Sequence, residues 1–379
     1  MSSLEEAGYT SVSYSQGPTP ESNTQRLLVA STKEVSTPVR TPTTSLNAGV
    51  EYTVDTVVYK EVDGTQILAD IYSPTKAPGK AMPVALMIHG GGHMTLSKKA
   101  VRPAQASFLL ANDILPISLD YRLCPEINLI DGPMTDVRDA CGWVQTSLQA
   151  IVRSKGITID SDKFVVIGWS TGGHLAMTTA WTTKEIGVKP PRAILSFYGP
   201  TDFESGDLDV RRAEMYPERQ MSMDKIVESL PTQPITSYDN GKVDTTGLGW
   251  VRPGDARSEL VLSLFKEGNG LSMMLNGISD PNWRRRPDDS RVAAISPMAQ
   301  LRKGIYTTPT FLIHGEKDEI VPFHTALKFA DALKVGGIRS GFLPVKGVKH
   351  IHDVNLTPGM ETWKKQVLPG YEFLLQVLK

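Results

Sequence analysis

Gly168-Trp169-Ser170-Thr171-Gly172 sets a serine between two glycines, directly after the apolar run Phe164-Val165-Val166-Ile167 and directly before a stretch that reads as helix. A hydroxyl on such a strand-to-helix turn projects above the edge of a sheet, and the turn is tight enough to need glycine where a side chain would collide. The helix predicted from Thr171 brings its positive end and a free backbone N–H beside any carbon that the hydroxyl attacks. The pentapeptide pattern is common by chance; the strand before it and the helix after it make it informative. The chemistry this predicts is nucleophilic attack by Ser170 on a carbonyl carbon.

Attack on a carbonyl builds negative charge on its oxygen, and His89-Gly90-Gly91-Gly92, after a second apolar run at 83–88, offers backbone N–H groups uncovered by side chains. Gly91 and Gly92, with Thr171, are the predicted oxyanion donors. A phosphate cradle would need Gly-Lys-Ser/Thr or G-x-G-x-x-G opening a helix, and this segment has neither. The serine also needs a base and a group to orient that base. His314-Gly315-Glu316-Lys317-Asp318-Glu319 follows the apolar run 308–313, and Asp318 is the predicted orienting acid; Glu316 and Glu319 read as solvated loop charges. Gly347-Val348-Lys349-His350-Ile351-His352 follows the run 341–345 and supplies two candidate bases. Histidines two apart in an extended loop face opposite sides, so one of them faces the serine. His350 is favoured, with His352 as the alternative or as a pocket wall. His93 and Trp169 complete the predicted pocket residues, with His174 also read as shaping the pocket, while His314 and His324 read as supporting structure. No Cys/His/carboxylate cluster stands at ligand spacing, so neither a metal nor a bound cofactor is expected.

Elements that could hold these groups alternate along the chain. Runs at 52–60 and 66–72 with Asp63-Gly64 between them read as a hairpin. Short apolar runs at 84–88, 114–119, 164–167, 192–197, 308–313 and 341–345 alternate with helical patterns, among them 104–111, 135–152, 324–334 and 362–378. That rhythm predicts an α/β fold with a mostly parallel central sheet flanked by helices. From 203 to 296 the chain turns polar, rich in Met, and broken by Pro and Gly, too long for a loop and read as an inserted helical lid. Ser, Thr and Pro make up 21 of the first 50 residues, too few large apolar groups to offset the entropy of ordering. Residues 1–48 are therefore read as a flexible linker or tail and 49–379 as the folded domain.

Composition narrows the function classes. Forty basic against 41 acidic residues leave a formal charge of −1, without the basic excess that nucleic-acid binding needs. Two cysteines cannot make a disulfide framework or a multi-thiolate zinc site. No apolar run approaches the ~18 residues of a membrane span, and Met1-Ser2-Ser3-Leu4-Glu5-Glu6 is acidic where a secretory leader is basic. A cytoplasmic protein without membrane contact is expected.

His89-Gly90-Gly91-Gly92, Asp120-Tyr121-Arg122-Leu123-Cys124-Pro125-Glu126, Gly168-Trp169-Ser170-Thr171-Gly172-Gly173 and the chain order Ser170, Asp318, His350 resemble the hormone-sensitive-lipase-like branch of the α/β-hydrolases. The blocks His93-Met94-Thr95-Leu96-Ser97 and 127–136, with Trp169, are similar to the C-terminal thioesterase domain of methylating, non-reducing fungal polyketide synthases. The likeness spans about 50–379. His352 departs from it, because an aromatic residue often follows the histidine of ordinary esterases. The resemblance implies an α/β-hydrolase fold and a polyketide acyl group carried on Ser170. It also implies delivery by the phosphopantetheine arm of an acyl carrier domain and release to water or a hydroxyl. The first 48 residues would then be a tether, about 40 Å in root-mean-square span, holding the carrier at high effective concentration. The lid's Arg284-Arg285-Arg286 would either meet the arm's phosphate or an acidic carrier helix, or pair with Asp288 and Asp289 on the surface. A free-standing carboxylesterase and a non-catalytic hydrolase-fold binding module are the competing readings.

Overall fold

A computed structural model of the chain describes residues 39–43, 50–210, 220–239, 254–268 and 270–379. Its nine-stranded sheet has the order β1-β2-β3-β5-β4-β6-β7-β8-β9. The strands are β1 (Val39–Thr43), β2 (Tyr52–Val62), β3 (Thr65–Pro74), β4 (Met82–Ile88), β5 (Leu115–Leu119), β6 (Ile159–Trp169), β7 (Ala193–Phe197), β8 (Thr310–Gly315) and β9 (Ser340–Val345). β1, β2 and β3 are antiparallel to their neighbours, and from β5 to β9 every pair is parallel. The β2–β3 turn falls at Asp63-Gly64, both with positive φ, as a two-residue hairpin requires. β4, β5 and β7, and β6 from Phe164 onward, are buried almost throughout, which explains why these stretches are mostly apolar.

Helices α1 (Pro103–Ala111), α2 (Thr135–Thr146), α3 (Leu148–Val152) and α4 (Thr171–Glu185) follow the first half of the sheet. Between β7 and β8 lie α5 (Met223–Ser229), α6 (Ala256–Glu267), α7 (Gly270–Asn276), α8 (Asp289–Ile295) and α9 (Pro297–Arg302). The chain closes with α10 (Phe323–Val335), α11 (Glu361–Gln366) and α12 (Leu368–Leu378). Most of the stretch read as a tail over 1–48 lies outside the described residues. Its residues Val39–Thr43 nonetheless pair with β2, so the sheet takes in five residues that composition alone assigned to the tail. Each single helix predicted over 135–152 and 362–378 is a broken pair, parting at Ser147 and Val367, where the backbone leaves helical geometry. Within the stretch read as a helical lid, Asp207–Asp209 forms a single turn, and residues 211–219, 240–253 and 269 lie outside the described residues. Among the described residues no helix is long and apolar enough to cross a membrane.

Parallel register is what assembles a site from distant segments. Ile88 pairs with Gly168, Trp169 with Phe197, Phe197 with Ile313 and Gly315 with Val345. The loops that leave β4, β6, β8 and β9 therefore emerge side by side at one edge.

Candidate active site

Ser170 occupies the turn between β6 and α4 with φ +55° and ψ −126°, a conformation that non-glycine residues rarely hold. Its N–H donates to the Phe197 carbonyl at 2.9 Å, which pins the turn to β7. A Cβ on Gly168 would stand 2.0 Å from the Gly172 carbonyl oxygen, and that close crossing is why the turn needs glycine there. The serine hydroxyl meets His350 Nε2 at 2.9 Å, and His350 Nδ1 meets Asp318 Oδ2 at 2.7 Å. A carboxylate only accepts, so Nδ1 carries the proton and Nε2 presents its lone pair to the hydroxyl.

Asp318 is buried, and burial by itself would raise its carboxyl; His350 beside it and hydrogen bonds from His314 and His350 outweigh that and hold it well below the usual carboxylate range. Its other oxygen accepts the N–H groups of Ile320 and Val321, both at 2.9 Å. His314, read from sequence as structural, stands with Nε2 3.2 Å from Asp318 Oδ2 and donates to the Val321 carbonyl at 3.0 Å. Glu316 and Glu319 are exposed, and Glu319 pairs with Lys349 at 3.0 Å.

Gly92 and Thr171 face the same cleft as Ser170. Gly91 and Gly92 both have positive φ, +98° and +66°, and among the described residues their N–H groups have no backbone acceptor. The Gly91 carbonyl instead accepts from the N–H groups of Met94 and Thr95 and from the Thr95 hydroxyl at 2.8 Å, which winds the glycine segment into a tight turn. Tyr121 buttresses that turn, with Asp120 beside it in the chain. The Tyr121 ring stacks on His89 at 4.3 Å and its hydroxyl donates to the His89 carbonyl at 3.0 Å, while Asp120 holds Lys98 at 3.0 Å.

The cleft over Ser170 opens to solvent and has mostly apolar walls. Leu208, Val261, Leu264, Leu271 and Met274, all from the stretch between β7 and β8, form much of them. Met273, one residue away, is buried behind that wall. The same stretch is anchored to the core by buried Arg257, which pairs with Glu126 and donates to the carbonyls of Met94 at 2.9 Å and Cys124 at 2.8 Å. Arg284 and Arg286 pair with Asp224 and, at 3.7 Å, with Asp289. Among the described residues no group of three His, Cys, Asp or Glu side chains could hold a metal ion.

His93 lines the cleft, and His174 holds its ring. The Ile295 carbonyl accepts from His174 Nε2 at 2.7 Å, so His174 Nδ1 carries no proton and accepts the hydrogen bond that His93 Nε2–H donates at 3.0 Å. Trp169 and His352 were expected on the wall and are absent from it. Trp169 is buried beneath the turn, stacked on Phe197 at 5.6 Å, because neighbouring residues leaving a strand point to opposite sides. His352 follows Ile351, whose φ of +60° turns the chain, and packs edge-on against Tyr198 instead of facing Ser170.

Asp353, which the sequence did not single out, is fully buried and receives the Trp169 indole N–H at 2.8 Å, the Tyr198 hydroxyl at 2.5 Å and the Gln105 amide at 2.7 Å, with Arg102 Nε at 3.3 Å. The one signal available was an acid three positions beyond the candidate base.

Comparison with known proteins bears on the same segments. The family BD-FAE matches residues 69–235 and the prolyl oligopeptidase family matches 274–379. The chain is 55% identical to the non-reducing polyketide synthase atr1 of Stereocaulon alpinum over 99% of its own length, and 51% identical to the non-reducing polyketide synthase ascC of Acremonium egyptiacum over 89%. A 5-methylorsellinic acid synthase of Aspergillus terreus is 37% identical over 99% of the chain. The chain spans only 15%, 16% and 15% of those relatives. Among solved structures, the native esterase Est2 of Thermogutta terrifontis superposes with a TM-score of 0.54 at 20% identity, over 86% of this chain and 92% of that one, which is a likeness of fold.

Proposed function

We propose that this chain, which has an α/β-hydrolase fold and is 55% identical over 99% of its length to part of a non-reducing polyketide synthase, is a serine thioesterase whose Ser170 takes a polyketide acyl group from a carrier thioester and releases it. The observation that carries the reading is the hydrogen-bonded line Ser170–His350–Asp318 opening on an apolar cleft.

His350 Nε2 takes the Ser170 proton as Oγ bonds to the thioester carbonyl carbon, and the carbonyl π electrons move to its oxygen. That oxyanion is received by the N–H groups of Gly92 and Thr171 with Gly91; each such donor is worth about 3–4 kcal/mol of barrier. Asp318 keeps the imidazole in the one tautomer that can accept, and stabilises the cation it becomes. Collapse expels the thiolate, whose parent thiol has a pKa of roughly 8.5 and so needs less help from the imidazolium than an alkoxide would. The imidazolium passes its proton to the departing thiolate and is neutral again; water or a hydroxyl then gives its proton to His350 as its oxygen bonds to the acyl carbon, and collapse breaks the acyl–Oγ bond as His350 returns that proton to Ser170.

The phosphopantetheine arm of an acyl carrier domain is the proposed donor of the acyl group. The apolar walls suit the hydrocarbon part of such a group. A mass increase on Ser170 after exposure to an aromatic acyl thioester, absent in Ser170→Ala, tests the reading; equal turnover by the two proteins would overturn it. Faster turnover of short nitrophenyl esters than of a carrier-bound aromatic thioester would favour a carboxylesterase instead.

A further inference from the structure

Ser170 and His350 lie on different loops, and a neutral hydrogen bond contributes only about 1 kcal/mol net, too little to hold one loop against the other. Something else must fix their separation. Asp353 connects the two loops. It follows His350 by three residues, after the turn at Ile351, and its fully buried carboxylate accepts the indole N–H of Trp169, the residue immediately before Ser170. It also accepts the hydroxyl of Tyr198, whose ring packs 4.5 Å from that of His350. Tyr198 is itself held at φ +42°, with its N–H on the Ile313 carbonyl at 2.7 Å. Arg102, 5.6 Å above the Trp169 ring, balances the charge, and Gln105 fills the remaining side while accepting from Tyr371 at 2.7 Å.

A buried carboxylate with this many donors is strongly directional, since losing any partner leaves a polar group unpaired in the interior. We infer that Asp353 is a positioning residue for the reaction: by clamping Trp169 and Tyr198 from the His350 loop, it sets the distance between His350 Nε2 and Ser170 Oγ. It touches neither the substrate nor the reacting atoms, and Asp318 has a separate task, holding the imidazole from its other nitrogen. The inference rests on the serine-hydrolase reading above and is independent of which acyl group is carried.

The test uses the full chain with p-nitrophenyl acetate as substrate and a fluorophosphonate to count reactive serines. Displacement of the base by about 1 Å can cost about 100-fold. Asp353→Asn is therefore expected to lower kcat per titrated site by about that factor with KM within about threefold. Trp169→Phe keeps the stacking on Phe197 and removes one donor, and a drop of about tenfold is expected for it. A purely structural role would reduce the number of titratable sites and leave kcat per site unchanged, so wild-type kcat per site in both variants would overturn the inference. Should Asp353→Asn fail to fold, Trp169→Phe decides alone. A wild-type protein that neither reacts with the fluorophosphonate at Ser170 nor turns over the ester would overturn the hydrolase reading itself.

Discussion

His350 Nε2 lies 2.9 Å from Ser170 Oγ although 180 positions of chain separate the two residues. Neither group has a nearer way to meet the other: the parallel register of β6, β7, β8 and β9 carries both loops to one edge of the sheet. Each consequence of that arrangement is open to measurement.

Asp318→Asn leaves a side chain of the same shape but replaces a negative acceptor with an amide that can donate. The imidazole then loses the partner that fixes its proton on Nδ1. A fall in kcat of about 10³–10⁴ is expected, whereas Glu316→Gln and Glu319→Gln, on exposed loop positions, should stay within about twofold of wild type. Stopped-flow release of nitrophenol would show it, and equal losses from all three would sink the assignment of Asp318.

Gly168→Ala probes the crossing of the turn over α4. The added Cβ meets backbone, the Gly172 carbonyl oxygen at 2.0 Å, which cannot yield as a side-chain tip would. A destabilisation of about 3 kcal/mol or more is expected, seen as a lower urea midpoint together with lost activity. An alanine variant as stable as wild type would show that the turn is built differently.

The interior histidines set an acid limit. Burial lowers His89 and His174 to about 4, and pushes His93 down in the same sense, helped by its histidine neighbours. Unfolded, each titrates near 6.5, so between pH 6.5 and 4 the unfolded chain binds more protons than the folded one. The stability these neutral rings contribute is complete above pH 6.5 and lost as pH falls toward 4, at up to about 1.4 kcal/mol per pH unit for each ring. The urea midpoint should therefore drop from pH 7 to pH 5; a flat or rising midpoint would show those rings to be solvated. Asp318, held far lower, loses its own contribution only in stronger acid.

Met274→Trp should narrow the cleft without touching the reacting groups. KM for a bulky aromatic acyl thioester is expected to rise by about tenfold or more, and KM for nitrophenyl acetate to change by less than about threefold. Equal effects on both substrates would mean that Met274 does not line the acyl-binding part of the cleft.

Residue order alone singled out Ser170 with its flanking glycines, the glycine segment at 90–92 and Asp318 among three acids as candidates, and it carried the alternation that makes a parallel sheet. These are local matters: a tight turn admits only glycine, and a strand buried on both faces must be continuously apolar. Whether His350 or His352 meets the serine was not local. It depended on the turn at Ile351, which aims one imidazole at Ser170 and tucks the other against Tyr198. Trp169 looked like a pocket wall because it adjoins the serine, yet in three dimensions it faces away and holds Asp353. The strand at Val39–Thr43 was hidden by its composition, because an edge strand draws its hydrogen bonds from a neighbour the tail does not contain. Periodicity and turn chemistry are written in neighbouring residues, whereas a buried carboxylate finds its donors from segments as far apart as Arg102, Trp169 and Tyr198 only once the sheet has brought them together.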